Sequence, residues 1–248
     1  MPEPAKKGSV ESFEASKLGT KSYWDQQYDQ ELENFKDHKD IGDVWFGEDV
    51  AEKMTQWVVE NFPNPETKVL DVGCGNGHLL LSLLEEQYTY LVGTDYSEKA
   101  IELAKSILID GGNAEEGSIK YYTSNILDTE DIKAMISKHG HFDVILDKGT
   151  FDAICLKPKS DGNSSQFREV DPDVSTKYLA SILKLLKKSQ SGGGVFLITS
   201  CNWTMDELIR HFKDELEYVD HIPQPSFTFG GHTGQTVSTV AFQIKTLT

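Results

Sequence analysis

From Lys68 to Gly77 the chain reads Lys-Val-Leu-Asp-Val-Gly-Cys-Gly-Asn-Gly: a short apolar run, one carboxylate, then three glycines spaced two positions apart. Glycine lets a backbone turn with positive φ and lets a ligand lie against the main chain. The free N–H groups opening a following helix point at whatever sits there. Leu79-Leu80-Leu81 and Leu83-Leu84 supply that helix. The stretch therefore reads as strand, tight turn, helix around a nucleotide-like cofactor, with Asp71, Gly73, Cys74, Gly75 and Gly77 as candidate contacts. A dinucleotide fingerprint is spaced G-x-G-x-x-G, and here the third glycine arrives one residue early, which disfavours NAD. Asp95, followed by Tyr96, closes the next apolar run, where a carboxylate can accept both hydroxyls of a ribose. Asn125 and Ile126 follow a third run, Asp147 a fourth, and Asn202 and Trp203 a fifth. Ligands of open α/β sheets bind beyond the carboxyl ends of the strands, so Asp147 is expected to face the cavity, with Asp152 anchoring the next helix.

The elements that must hold these residues alternate along the chain. Strands are expected at 68–72, 90–95, 119–123, 142–146 and 194–200, with amphipathic helices between them. Two closing strands, 218–222 and 236–244, bracket a loop from Pro223 to Gln235 that carries Phe227, Phe229 and Gly230-Gly231. Asp171-Pro172 opens one helix, Ser97 is placed to cap another, and Thr204 with Glu207 forms a capping box for a third. Ahead of the glycine turn, Tyr23, Trp24, Tyr28, Leu32 and Phe35 give a helix an aromatic face, expected to serve mostly in packing. Trp45-Phe46 lies between glycines, and such a pair is either a hydrophobic plug or the wall of a ligand pocket. Three regions are expected: a disordered tail at 1–16, a helical extension and cap at 17–63, and a catalytic unit at 64–248. The polar stretch from Lys157 to Glu169 reads as a mobile loop on the site's rim.

The pattern Asp-x-Gly-x-Gly-x-Gly resembles the first motif of class I S-adenosylmethionine methyltransferases. That resemblance implies a Rossmann-like α/β fold, a seven-stranded mostly parallel sheet with helices on both faces, and S-adenosylmethionine as cofactor. Members of the class often offer an acidic residue to the adenine amine, where this chain has Asn125. More specifically, Leu18-Gly19-Thr20 with Tyr23-Trp24-Asp25, Trp45-Phe46, Asp147 to Ile154, Leu197 to Trp203 and Phe229-Gly230-Gly231 together resemble the methyltransferases that modify a lysine of translation elongation factor 1-alpha. The resemblance implies a protein-lysine N-methyltransferase with that factor as substrate. Catalysis is then expected to rest on Asp147 orienting the amine. Trp45, Phe46, Asn202 and Trp203 would line the lysine channel, with Phe227 as a further candidate. A small-molecule methyltransferase and a cofactor-binding scaffold without turnover are the rival readings.

The composition narrows the partners. Twenty-four basic against 40 acidic residues leave a formal charge of −16, which opposes nucleic-acid binding and suits a basic protein partner. The cysteines Cys74, Cys155 and Cys201 are widely spaced and without C-x-x-C, as in a reducing compartment without disulfides or zinc. The polar start lacks a signal-peptide core, and no apolar run approaches membrane-spanning length. These features favour a cytoplasmic monomer, with the nucleus open as a second location, and no metal.

Overall fold

Apolar runs dense enough to be buried on both sides become the parallel strands of a single sheet. A computed structural model describes residues 16–111, 117–157, 172–188, 193–229 and 232–245. Its strands are β1 (Lys68–Val72), β2 (Tyr90–Asp95), β3 (Ile119–Thr123), β4 (Val144–Lys148), β5 (Val195–Ser200), β6 (Leu216–Ile222), β7 (Ser226–Phe229), β8 (His232–Gln235) and β9 (Ser238–Ile244). Seven of them form one sheet in the order β3-β2-β1-β4-β5-β9-β6. The first five run parallel, and β9 runs antiparallel to both β5 and β6. Strand order reverses between β1 and β4, the switch point outside which such sheets open a ligand crevice. Val144, Ile145 and Leu146 of β4 are all fully buried, as a strand covered by helices on both faces requires.

The helices are α1 (Lys21–His38), α2 (Glu48–Asn61), α3 (His78–Glu85), α4 (Glu98–Asp110), α5 (Thr129–His139), α6 (Thr150–Cys155), α7 (Pro172–Leu185) and α8 (Met205–Phe212). One face of the sheet turns Val69, Leu91, Val144 and Leu146 toward α2 and α3. The other turns Leu70, Val72, Val92 and Ile145 toward α5, α7 and α8. The capping box at α8 is formed in full, the Thr204 hydroxyl accepting from the Glu207 amide and the Glu207 carboxylate from the Thr204 amide. Ser97 precedes α4 as expected, but its side chain makes no capping bond, because Asp95 Oδ1 already accepts from the Ser97 amide at 2.9 Å.

The N-terminal extension is part of this body. Tyr28, Leu32 and Phe35 of α1 pack on Ala100, Leu103 and Ile107 of α4, and truncating a fully buried leucine such as Leu32 would cost about 2–5 kcal/mol. A short 3₁₀ turn, Lys17–Gly19, continues to the end of α6, where the Ser16 amide donates to the Leu156 carbonyl at 3.1 Å. A Cβ at Gly19 would sit 2.3 Å from the Leu156 carbonyl carbon, so only glycine permits that contact.

One expected loop is structured. Residues 226–229 and 232–235 pair antiparallel as β7 and β8. Phe, Thr and Gln flanking a Gly-Gly pair is a hairpin signal, and it outweighs the glycine-rich look of the segment. Residues 1–15 and most of the 157–169 insertion lie outside the described residues. Among the described residues, no helix is long and apolar enough to cross a membrane, and no cluster of His, Cys, Asp or Glu is arranged to hold a metal.

Candidate active site

The glycine turn is shaped by its neighbours as much as by its own dihedrals. Gly73 has φ +67, and a Cβ there would lie 1.9 Å from Thr150 Oγ1. That hydroxyl donates to the Val72 carbonyl at 2.7 Å, which joins the β1 turn to the start of α6. Gly75 has φ +53, and a Cβ there would meet the Tyr28 hydroxyl of α1 at 2.6 Å. Two side chains from distant elements thus close on a turn that no larger residue could make. Asn76 extends the link by donating to the Ile41 carbonyl at 3.0 Å.

These elements enclose a cavity of about 770 Å³, within the range of about 300–1,000 Å³ usual for small-molecule sites. Its lining includes Gly73, Cys74 and Gly75 of the glycine turn, Asp95 and Tyr96 after it, Asn125, Ile126 and Leu127, the cap residues Trp45 and Phe46, and Asp152 and Asn202. Asp95 is buried at 5% exposure, and its two oxygens accept from the amides of Gly75 (3.2 Å) and Ser97 (2.9 Å). Burial raises its carboxyl to about 6 against the pull of those amides. The carboxylate is therefore oriented by the backbone where it lines the cavity. Asn125 is differently engaged from what its position suggests: its Oδ1 accepts from the Leu127 amide at 3.0 Å, which leaves one lone pair for an adenine amine.

Four residues expected at the site are elsewhere. Asp147 is fully buried and is not part of the cavity wall. It lies on the β4 face shared with Ile145, where it accepts from the amides of Thr150 (2.9 Å) and Phe151 (3.0 Å) and from the Tyr178 hydroxyl. Burial raises it to about 7, with those three donors opposing. Its work is to hold the start of α6 against α7. Asp71 lies on the opposite face, buried behind the glycine turn and off the cavity wall; burial raises its carboxyl while the charge of Lys148 pulls it down. Gly77 is also off the wall, since a Cβ there would be 2.3 Å from the Tyr121 hydroxyl. Trp203 packs in tilted geometry against Phe151 at 5.7 Å and His211 at 5.0 Å, inside the layer between sheet and α8. Phe227 belongs to β7, of whose side chains nothing is described.

Other residues line the cavity in their place. Asp152, expected to anchor a helix, lines the cavity, its carboxylate accepting from the Ser200 hydroxyl at 2.5 Å and from the Cys201 amide at 2.8 Å. Burial raises it as well, against the pull of those donors. Trp24 and Tyr28 of α1, expected to be packing, form part of the wall, Trp24 meeting Trp45 edge-on at 4.9 Å. Helical spacing had revealed their shared face but not what covers it.

A sheet in this order, with a glycine turn after β1 and a buried carboxylate closing β2, defines the class I Rossmann-like methyltransferases. Residues 63–241 match the family described as a methyltransferase domain. The fold alone is shared with the N-methyltransferase NodS of Bradyrhizobium japonicum bound to S-adenosyl-L-homocysteine, at TM-score 0.58 and 15% identity over 88% of this chain and 97% of that one. It is shared likewise with magnesium protoporphyrin IX methyltransferase of Synechocystis bound to SAM, at TM-score 0.54 and 12% identity over 89% and 97%. Sequence likeness goes further. The chain is 37% identical to EEF1A lysine methyltransferase 2 of Danio rerio over 94% of its own length and 90% of that protein's. It is 41% identical to protein-lysine N-methyltransferase efm4 of Schizosaccharomyces pombe over 92% and 94%. On that extent of shared sequence, the chain belongs to the EEF1A lysine methyltransferase 2 family.

Proposed function

We propose that this protein transfers a methyl group from S-adenosylmethionine to the side-chain amine of a lysine in translation elongation factor 1-alpha. The observation that carries the reading is how far the likeness to the relatives reaches. It spans 94% of the chain, whereas the methyltransferase domain ends at residue 241 and begins only at 63. Most of the excess therefore falls on the cap, whose Leu18, Trp24, Tyr28, Trp45 and Phe46 line the cavity. A likeness confined to the glycine turn would have supported cofactor binding and nothing more.

The residues present fit that cofactor: a backbone cradle, an oriented acceptor at Asp95 for a ribose diol, and an apolar end at Ile126 and Leu127 for a base. S-adenosylmethionine supplies a methyl group already activated for in-line displacement, and the protein's own share is positioning and exclusion of water. A lysine amine has an ordinary pKa of about 10.4, so at neutral pH it must lose a proton before it can attack. Trp45 and Phe46 offer an apolar wall along which the stem of the lysine is desolvated, and desolvation disfavours the charged amine. Asp152 is a carboxylate lining the same cavity, held by Ser200 and Cys201 so that it can accept a hydrogen bond from the amine and aim its lone pair. The described cysteines are all free thiols, which supports a reducing compartment and a cytoplasmic protein.

The test is incubation of the purified chain with isotopically labelled S-adenosylmethionine and intact elongation factor, read by peptide mass spectrometry. Label on a lysine of the factor is the expected result. A factor that stays unlabelled while the same enzyme labels small molecules added beside it would overturn the substrate.

A further inference from the structure

The loop that carries Trp45 and Phe46 has no regular structure of its own to fix it. It spans residues 39–47, between α1 and α2, and turns through Phe46 at φ +68 and Gly47 at φ +88. A positive φ is unfavourable for phenylalanine, so contacts from outside must hold it there. Besides the Trp24–Trp45 ring contact, three more such contacts hold it. Asn76 of the glycine turn donates to the Ile41 carbonyl, the Phe46 ring packs so closely on Gly149 that a Cβ there would lie 2.9 Å from it, and Lys148 donates its ammonium to the Trp45 carbonyl at 2.9 Å.

Lys148 is unusual among these tethers. It is a half-buried cation on the cavity wall, at the end of the central strand β4 and on the face opposite Asp147. The charges around it are Asp71 on the neighbouring strand and Asp147 on its own, with His78 of α3 nearby. Its ammonium is directed to a backbone carbonyl of the cap, not to a surface carboxylate. A charge taken this far from water is retained at a cost unless its hydrogen bonds do specific work.

Resting on the methyltransferase reading above, we infer that Lys148 is a positioning residue for the protein substrate: by tying the Trp45 carbonyl to the end of β4 it fixes the aromatic wall against which the incoming lysine is laid. Because the bond is to the main chain, it sets the loop whatever side chain stands at 45. Cofactor contacts at Asp95 and Gly75 belong to other elements and do not depend on it.

The experiment compares wild type, Lys148→Met, Trp45→Ala and the double variant in three readouts. Hydrogen exchange of residues 42–47 needs no substrate and is expected to quicken about tenfold in K148M, with β1 and β4 unchanged. Calorimetric affinity for S-adenosylhomocysteine is expected to stay within about threefold of wild type, while KM for the intact elongation factor rises about tenfold in each single variant. The double variant is expected to be little worse than either single one, since both remove the same wall. Unchanged exchange in K148M, additive losses in the double variant, or a cofactor affinity that falls with KM would each overturn the inference. Should K148M not fold, K148Q takes its place. W45A leaves the ammonium untouched and decides by itself, because an unchanged KM there removes the wall. A wild-type chain that does not methylate the factor would count against the proposed function, and the exchange result would still stand.

Discussion

Asp95 and Asp147 look alike in sequence, each the carboxylate near the end of a parallel strand, yet they belong to opposite sides of the sheet. Asp95 shares the face of Leu91 and is turned to the cavity, with two amides orienting it. Asp147 shares the face of Ile145 and is consumed by the first turn of α6 and Tyr178. Successive side chains along a strand alternate faces, so a difference of one position in where a strand meets the cavity changes a ligand contact into a structural bolt. A carboxylate at a strand end therefore marks a site only once its face is known.

The largest expected effect sharpens that contrast on the structural side. Asp147→Ala strands the amides of Thr150 and Phe151 and the Tyr178 hydroxyl in a dry layer, and should lower the free energy of unfolding by about 3–4 kcal/mol. Urea denaturation measures this, and a folded mutant that lost only turnover would return Asp147 to the chemistry. Next comes Asp95→Ala, expected to weaken S-adenosylmethionine binding about a hundredfold by calorimetry through loss of charge-assisted bonds. If its affinity matched that of wild type, the ribose assignment would be broken. A smaller effect is expected of Asp152→Asn, which keeps an acceptor for Cys201 and removes the charge: kcat on the elongation factor should drop about tenfold with cofactor affinity unchanged. Equal kcat would leave the cavity without its orienting carboxylate.

The same contrast can be read in pH. Asp95 and Asp147 titrate near 6 and 7 in the folded chain and near about 3.9 when unfolded, so between these values the folded state holds protons that the unfolded state has released. Stability of the ligand-free protein should therefore fall as pH rises from about 4 to about 7, seen as a drop in Tm. Cofactor affinity should move the other way through pH 6, because ionised Asp95 accepts from both ribose hydroxyls more strongly than its protonated form, one oxygen of which becomes a donor. A Tm that climbs across that window would show that the two carboxylates are not buried as described.

Local pattern was enough for much of this protein. The spacing of Gly73, Gly75 and Gly77, the carboxylate at Asp95, the capping box of Thr204 and Glu207 and the alternation of strands with helices are all determined within a few residues of themselves, where backbone dihedrals, caps and periodicity act. The facing of Asp147 was not legible, because Val144-Ile145-Leu146 is apolar at every position and a strand buried on both sides carries no alternation to say which face is which. Nor could sequence show that Trp24 and Tyr28 line the cavity, that Gly77 serves Tyr121, that Trp203 packs against Phe151, or that Lys148 reaches the Trp45 carbonyl across 103 positions. Those contacts exist only once the sheet order has brought β1, β4 and the cap together, and local pattern holds no record of a neighbour that only folding supplies.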